Sequence, residues 1–128
     1  MDWHKAPDIK RKIIDILRKT SLDHIDPSRV FVFRSQGSVA RAYARIWALP
    51  TIWQKALDTP AGYCIEVLAE KFDRLPGEKQ LKVLIHELLH IPKTFSGSLA
   101  QHKGRGRWGV CHQQVEKVYR EYSRSRSW

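Results

Sequence analysis

His86-Glu87-Leu88-Leu89-His90 is the stretch of sequence that decides how this chain is interpreted. On a helix the two histidines stand one turn apart on the same face, so both imidazoles can bind one zinc ion. Glu87, which lies between them, then has the position of a general base. The alternative is a buried amphipathic helix that carries two histidines without binding a metal.

The residues around the motif favour a helix. Apolar residues recur at helical spacing from Leu81 to Leu89, which predicts one apolar face. Pro76-Gly77-Glu78 is a start signal with an acidic residue in the first turn, and Pro92 prevents the helix from continuing. We therefore expect the histidine pair at the C-terminal end of a buried helix.

A third metal ligand has to come from elsewhere, because a catalytic zinc site normally has three protein ligands and one open position for water. His102 is the favoured candidate, since it follows a glycine-punctuated segment that can turn back over the helix end. His112, at the start of the last helix, is the alternative, with Glu116 one turn further on.

The run from His86 to Leu99, followed by His102, resembles a small metallopeptidase family of archaea and phages, whose signature is an HELxHIP segment and a further histidine. The likeness continues upstream through Arg34-Ser35, Arg41 to Trp47, Tyr63 to Val67 and Phe72 to Leu75. This resemblance implies a zincin-like metal site with His102 as third ligand. A more distant similarity to SprT-type minimal zincins implies the same plan of sheet and helices, but not the same substrate, because the linker after the motif differs.

Length and composition indicate one soluble domain spanning residues 1–128. A hydrophobic fraction of 42% and a charged fraction of 28% are typical of a folded protein and exclude disorder for its body. No apolar run is long enough for a membrane span, and the N-terminus lacks the apolar core of a signal peptide, so we expect a cytoplasmic protein without a membrane partner. Cys64 and Cys111 are then expected as free thiols.

The expected fold class is α+β, a minimal zincin-like domain with a small, mostly antiparallel sheet of about three strands. Beside the motif helix, the predicted elements are a helix from Asp8 to Thr20, strands from Arg29 to Ser35, Val39 to Leu49 and Gly62 to Leu68, a helix from Val110 to Tyr122, and a frayed basic tail at 123–128. Residues 39–49 also contain helix-favouring alanine and arginine. A strand is preferred there because a hairpin through Gln36-Gly37-Ser38 follows naturally. The resemblance to zincin-like proteins implies that the strand at 62–68 is the sheet edge along which an extended peptide binds.

The net charge of the chain indicates which partners it could attract. The chain has 23 basic and 13 acidic residues and a net charge of +10, which attracts polyanions. Lys103, Arg105 and Arg107 lie beside the favoured third ligand, and five tryptophans offer stacking surfaces if they are exposed. The alternative is that the charges only solvate the surface and that most tryptophans are core. Weak, non-specific nucleic-acid binding is therefore an expected property.

These observations favour a zinc-dependent peptidase in which His86, His90 and His102 hold Zn²⁺ and Glu87 is the general base. The alternatives are a basic nucleic-acid-binding module with a structural or vestigial zinc site, and a peptidase recruited to its protein substrate by DNA, as in SprT-type enzymes. Glu87 favours an enzyme, because a structural zinc site needs no carboxylate beside its ligands.

Two supporting roles are assigned by residue type alone. Tyr43, Tyr119, Arg105 and Arg107 are candidate donors to the oxyanion that forms during hydrolysis. Asp73 is a candidate acceptor for the second ring N–H of a ligating histidine, but a helix cap or a salt bridge is the favoured role for this residue. The physiological substrate and the oligomeric state are not indicated by the sequence.

Overall fold

A computed structural model describes residues 2–100 and 112–126. It confirms the α+β class, with five helices and a sheet of four strands. In chain order the elements are β1 (Asp2–Lys5), α1 (Pro7–Lys19), β2 (Val30–Gln36), β3 (Ala44–Ala48), α2 (Thr51–Leu57), β4 (Tyr63–Leu68), α3 (Ala69–Phe72), α4 (Gly77–Leu89) and α5 (His112–Arg126). A short 3-10 turn at Pro27–Arg29 precedes β2.

The sheet is mixed, and its strand order is β1-β2-β4-β3. The outer pairs, β1 with β2 and β3 with β4, are antiparallel, whereas the central strands β2 and β4 run parallel. The predicted hairpin between residues 29–35 and 39–49 is therefore wrong, because β3 pairs with β4 and not with β2. The strand in the second segment is also shorter than predicted and begins only at Ala44.

β4, the strand that precedes the motif helix, is central in the sheet. The expectation that this strand forms the peptide-binding edge is therefore wrong. β4 is buried along most of its length, with Tyr63, Ile65 and Val67 facing the helices. A near-continuous buried run is typical of a strand with neighbours on both sides. The edges of the sheet are β1 and β3.

α1, α3, α4 and α5 lie on one face of the sheet and enclose the core, whereas α2 has no buried residue. α1 and α4 are amphipathic, and each buries one apolar stripe against the strands, as helical periodicity predicts. The buried helix residues are Ile9, Ile13 and Ile16 of α1, Leu81, Leu84, Ile85 and Leu88 of α4, and Val115, Val118 and Tyr122 of α5. This packing fixes the position of α4 and hence of the motif at its end.

α5 continues through Arg126, beyond the predicted end at Tyr122. Contacts with α1 hold these last turns, since the Tyr122 hydroxyl donates to Asp15 at 2.6 Å and the Ser125 hydroxyl donates to the Lys19 carbonyl at 3.3 Å. Within the described ranges, no helix has the length and apolar character needed to cross a membrane.

Candidate metal centre

The two histidines of the motif meet at the end of α4. His86 lies in the last turn, and His90 follows the helix with backbone angles that are still helical, φ −70° and ψ −16°. The two Nε2 atoms are 3.3 Å apart, and the ring planes cross at 74°. The one-turn spacing therefore brings two imidazole nitrogens to a single point.

A backbone carbonyl sets the tautomer of His90. The Nδ1 atom of this histidine is hydrogen-bonded to the carbonyl oxygen of Ala100. Since a carbonyl oxygen can only accept, Nδ1 is the donor, and the Nε2 atom of the neutral ring carries a lone pair. The Ala100 amide in turn donates to the His90 carbonyl at 2.7 Å, so residues 90 and 100 are joined by two bonds.

The loop that carries Ala100 is itself anchored to the sheet. The hydroxyl of Tyr63, a residue only 1% exposed, donates to the Ser98 carbonyl at 3.0 Å and accepts from the Gly97 amide at 2.9 Å. Gly97 has φ +98°, and a Cβ there would lie 2.8 Å from the Leu49 carbonyl. Only glycine fits this close approach without strain. The sheet thus positions the carbonyl that orients His90.

Glu87 lies beside the pair and is almost fully buried, with 8% of its surface exposed. Burial raises the pKa of Glu87 from 4.5 to about 7, because a low-dielectric surrounding disfavours the charged form. A carboxyl group in this range can exchange a proton near neutral pH.

A broad groove of about 1410 Å³ opens over these side chains. Its walls are α4, the edge strand β3 and the start of α5, and His86, Glu87 and His90 lie on its floor. This volume is larger than the roughly 300–1,000 Å³ of most small-molecule sites.

The other proposed ligands have different placements. His102 lies outside the described residues. His112 lines the groove, but its side chain is 83% exposed and stands 3.7 Å from the Glu116 carboxylate. Glu116 forms a salt bridge of 2.9 Å with Lys82. Across residues 2–100 and 112–126, no group of three His, Cys, Asp or Glu side chains is arranged to hold a metal ion.

Of the oxyanion donors, histidine partner and cysteines proposed from the sequence, some lie in the described part of the chain and others do not. Asp73 forms a salt bridge of 3.0 Å with Arg34, the kind of role favoured for it, and Nδ1 of His90 is bonded to the Ala100 carbonyl instead. Tyr43 lines the groove, and the Tyr119 ring lies 5.0 Å from the Lys82 ammonium. Arg105, Arg107 and Cys111 fall outside the described part of the chain. Cys64 is a free thiol on β4.

Sequence reasoning missed the carbonyl of Ala100 and its anchor Tyr63. Every residue has a carbonyl group, so no residue type marks the one that orients His90. Only the type of residue 63 hints at this role, because a buried tyrosine hydroxyl needs a hydrogen-bond partner.

Comparison with known proteins gives one positive result. No curated protein and no solved structure matches the chain. The model of the family described as "Putative phage metallopeptidase" matches residues 1–128, which include the motif, the histidine pair and the loop that orients it. The chain belongs to this phage metallopeptidase family.

Proposed function

We propose that the protein is a zinc-dependent peptidase in which His86 and His90 hold the ion, His102 completes the ligand set and Glu87 is the general base. Membership of the family supports a metallopeptidase in general. The identity of the metal, its ligands and the role of Glu87 are parts of this proposal. We further propose that the enzyme acts on proteins or peptides in the cytoplasm.

The proposal rests mainly on the distance between the Nε2 atoms of His86 and His90. Zinc binds imidazole nitrogen at about 2.0–2.1 Å in tetrahedral sites, so two ligating nitrogens lie roughly 3.3–3.4 Å apart. The observed separation is 3.3 Å. The Ala100 carbonyl also leaves the His90 lone pair on the nitrogen that faces His86.

The proposed chemistry divides between the ion and Glu87. When bound, zinc lowers the pKa of water from 15.7 toward about 7 and polarises a carbonyl group. Glu87 accepts the proton of the water that attacks the peptide carbonyl and then delivers it to the leaving amine. Its burial beside the histidine pair raises its pKa to about 7, which suits a group that accepts and then releases a proton.

The edge strand β3 offers a place for the substrate. One side of β3 pairs with β4, and the other side has no strand partner in the described sheet. Ala44 to Trp47 of this strand line the groove that contains the histidine pair. We propose that an extended peptide adds to β3, so that its backbone passes over Glu87. The sequence predicts this role for the strand at 62–68, but that strand is central, so we propose the edge strand β3 instead.

Metal analysis combined with casein digestion tests this function. The wild-type protein should hold about one zinc per chain, and His86→Ala or His90→Ala should lose both zinc and digestion. His4→Ala is the matched control, since His4 is an exposed histidine on β1 and should keep both. Stoichiometric zinc in the His86→Ala, His90→Ala double variant would contradict the assignment.

A further inference from the structure

The face of the sheet opposite the helices carries a group of aromatic side chains. Strand register places three rows across this face, formed by Phe31, Cys64 and Trp47, then by Lys5, Phe33, Glu66 and Arg45, and then by Trp3, Ser35 and Leu68. The helices pack on the other face, where the core strand residues are Val30, Val32, Ala44, Tyr63, Ile65 and Val67. We call the surface formed by the three rows the open face.

The largest aromatic rings of the open face are directed to solvent. Trp3 is 61% exposed, Trp47 is 52% exposed and Phe31 is 43% exposed. Single exposed apolar residues are common on protein surfaces, but several aromatic rings grouped on one sheet face mark an interaction surface. The two tryptophans lie on β1 and β3, so the group spans the sheet from edge to edge.

A buried carboxylate holds the two indole rings in place. Glu66 is only 2% exposed, and its oxygens accept from Trp47 Nε1 at 3.0 Å and from Trp3 Nε1 at 3.3 Å. Arg45 Nη2 donates to the same carboxylate at 3.0 Å. Two mostly exposed rings are thus fixed before any ligand binds, which lowers the entropy cost of stacking on them.

The cations on this face lie next to the rings. The Arg29 guanidinium is 5.6 Å from the Phe31 ring centre, and the Arg45 guanidinium is 5.7 Å from that of Trp47. Arg29 donates to the Ala61 and Pro60 carbonyls and to the Thr59 hydroxyl, so these bonds hold its guanidinium without neutralising its charge. None of the salt bridges among the described residues involves Lys5 or Arg29. A ligand that combines flat rings with negative charge complements this arrangement.

Cationic ligands fit less well. The only carboxylate among these rows, that of Glu66, is buried and already accepts three hydrogen bonds. The charge of the open face therefore favours an anion.

We propose that the open face binds single-stranded nucleic acid, with bases stacked on Trp3, Phe31 and Trp47 and phosphates near Lys5, Arg29 and Arg45. Every base has a flat face, so such binding is tolerant of sequence. A duplex keeps its bases stacked on each other and would meet only the charges. Arg45 and Trp47 also line the proposed peptide groove, so the two surfaces meet along β3.

Fluorescence anisotropy with labelled oligothymidylate of about 15 nucleotides tests the proposal, with oligouridylate and a duplex of equal length measured in parallel. Trp3→Leu and Trp47→Leu should each weaken single-strand binding about tenfold. Phe31→Leu should weaken it too while leaving the bonds of Glu66 intact. Trp53→Leu is the matched control, since Trp53 is a 54% exposed tryptophan on α2, outside the open face.

Duplex binding should be the same in all four variants and should fall steeply with salt, because it depends on charge alone. Equal single-strand affinity in wild type and the three open-face variants would overturn the proposal. An equal loss in Trp53→Leu would overturn it as well. Sedimentation equilibrium adds a further test, because a dimer that Phe31→Leu and Trp47→Leu both dissociate would assign the face to a second copy of the chain instead.

Discussion

Replacing Glu66 with glutamine tests whether one buried carboxylate organises the open face. The carboxylate offers an acceptor oxygen to each of its three donors, the two indoles and Arg45. Burial alone would raise the pKa of Glu66, but the Arg45 guanidinium and the indole N–H groups bind the charged form and hold this pKa below its usual value. Glu66 is therefore ionised at neutral pH, and glutamine removes the charge together with one acceptor.

The cost follows from the hydrogen bonds that glutamine cannot make. In glutamine an amide nitrogen, itself a donor, replaces one of the two acceptor oxygens, so at least one indole N–H loses its partner. A hydrogen bond from Arg45 can then go only to a neutral oxygen. A hydrogen bond to a charged group contributes about 1.5–3 kcal/mol. The contribution of Arg45 is discounted, because its side chain is 33% exposed and solvent screens the pair. Glu66→Gln should therefore lower the free energy of unfolding by about 2–3 kcal/mol, and Tm by roughly 10 °C.

Urea denaturation at pH 7 with a chelator present measures this cost without a contribution from bound metal. Glu78→Gln is the matched control, since Glu78 is exposed in the first turn of α4 and its loss should cost less than about 1 kcal/mol. If Glu66→Gln unfolds at the same urea concentration as wild type, the carboxylate does not hold the indoles, and the reasoning about a preformed surface fails.

His102→Ala should weaken zinc binding more than His112→Ala, as a competition titration with a chelating dye will show, and the reverse order would move the third ligand to α5. Tyr63→Phe should lower zinc affinity roughly tenfold in the same titration, because the loop that orients His90 loses its anchor. Arg34 holds the pKa of Asp8 below its usual value, so this pair stabilises the protein above pH about 4 and less as the pH falls further. Acid titration of stability should therefore show wild type and Arg34→Gln converging at low pH, and a constant difference would refute the pairing.

The helix and the histidine pair were predictable because their signals are local. Apolar periodicity, Pro76 and Pro92 lie within one short segment, and the predicted helix corresponds closely to α4 at Gly77–Leu89. The spacing of His86 and His90 needs no knowledge of the rest of the fold. The acceptor of the His90 ring N–H cannot be predicted from local sequence. Ala100 reaches His90 only because a distant strand holds the loop between them.

Strand pairing was not predictable in the same way, because it depends on contacts between segments that are far apart in the sequence. A turn at Gly37 suggested a hairpin, yet β2 pairs in parallel with β4, which lies beyond β3 and α2. Three elements were not predicted. β1 and α2 have no buried residue and hence no apolar pattern, and α3 is a helix of four residues, too short for a helical period to show. The interpretation of most tryptophans as core also fails for Trp3, Trp47 and Trp53, each of which is more than half exposed.

Hydrolysis of a peptide substrate by Glu87→Gln, at a zinc content equal to that of wild type, tests the central claim most directly. Glutamine keeps the size of the side chain beside the ligands and removes only its ability to accept a proton. We expect the variant to fold, to hold zinc as wild type does, and to lose activity by about 10²–10⁴-fold, the usual contribution of a general base. A zinc-loaded Glu87→Gln protein that cleaves the substrate as fast as wild type would contradict the mechanism.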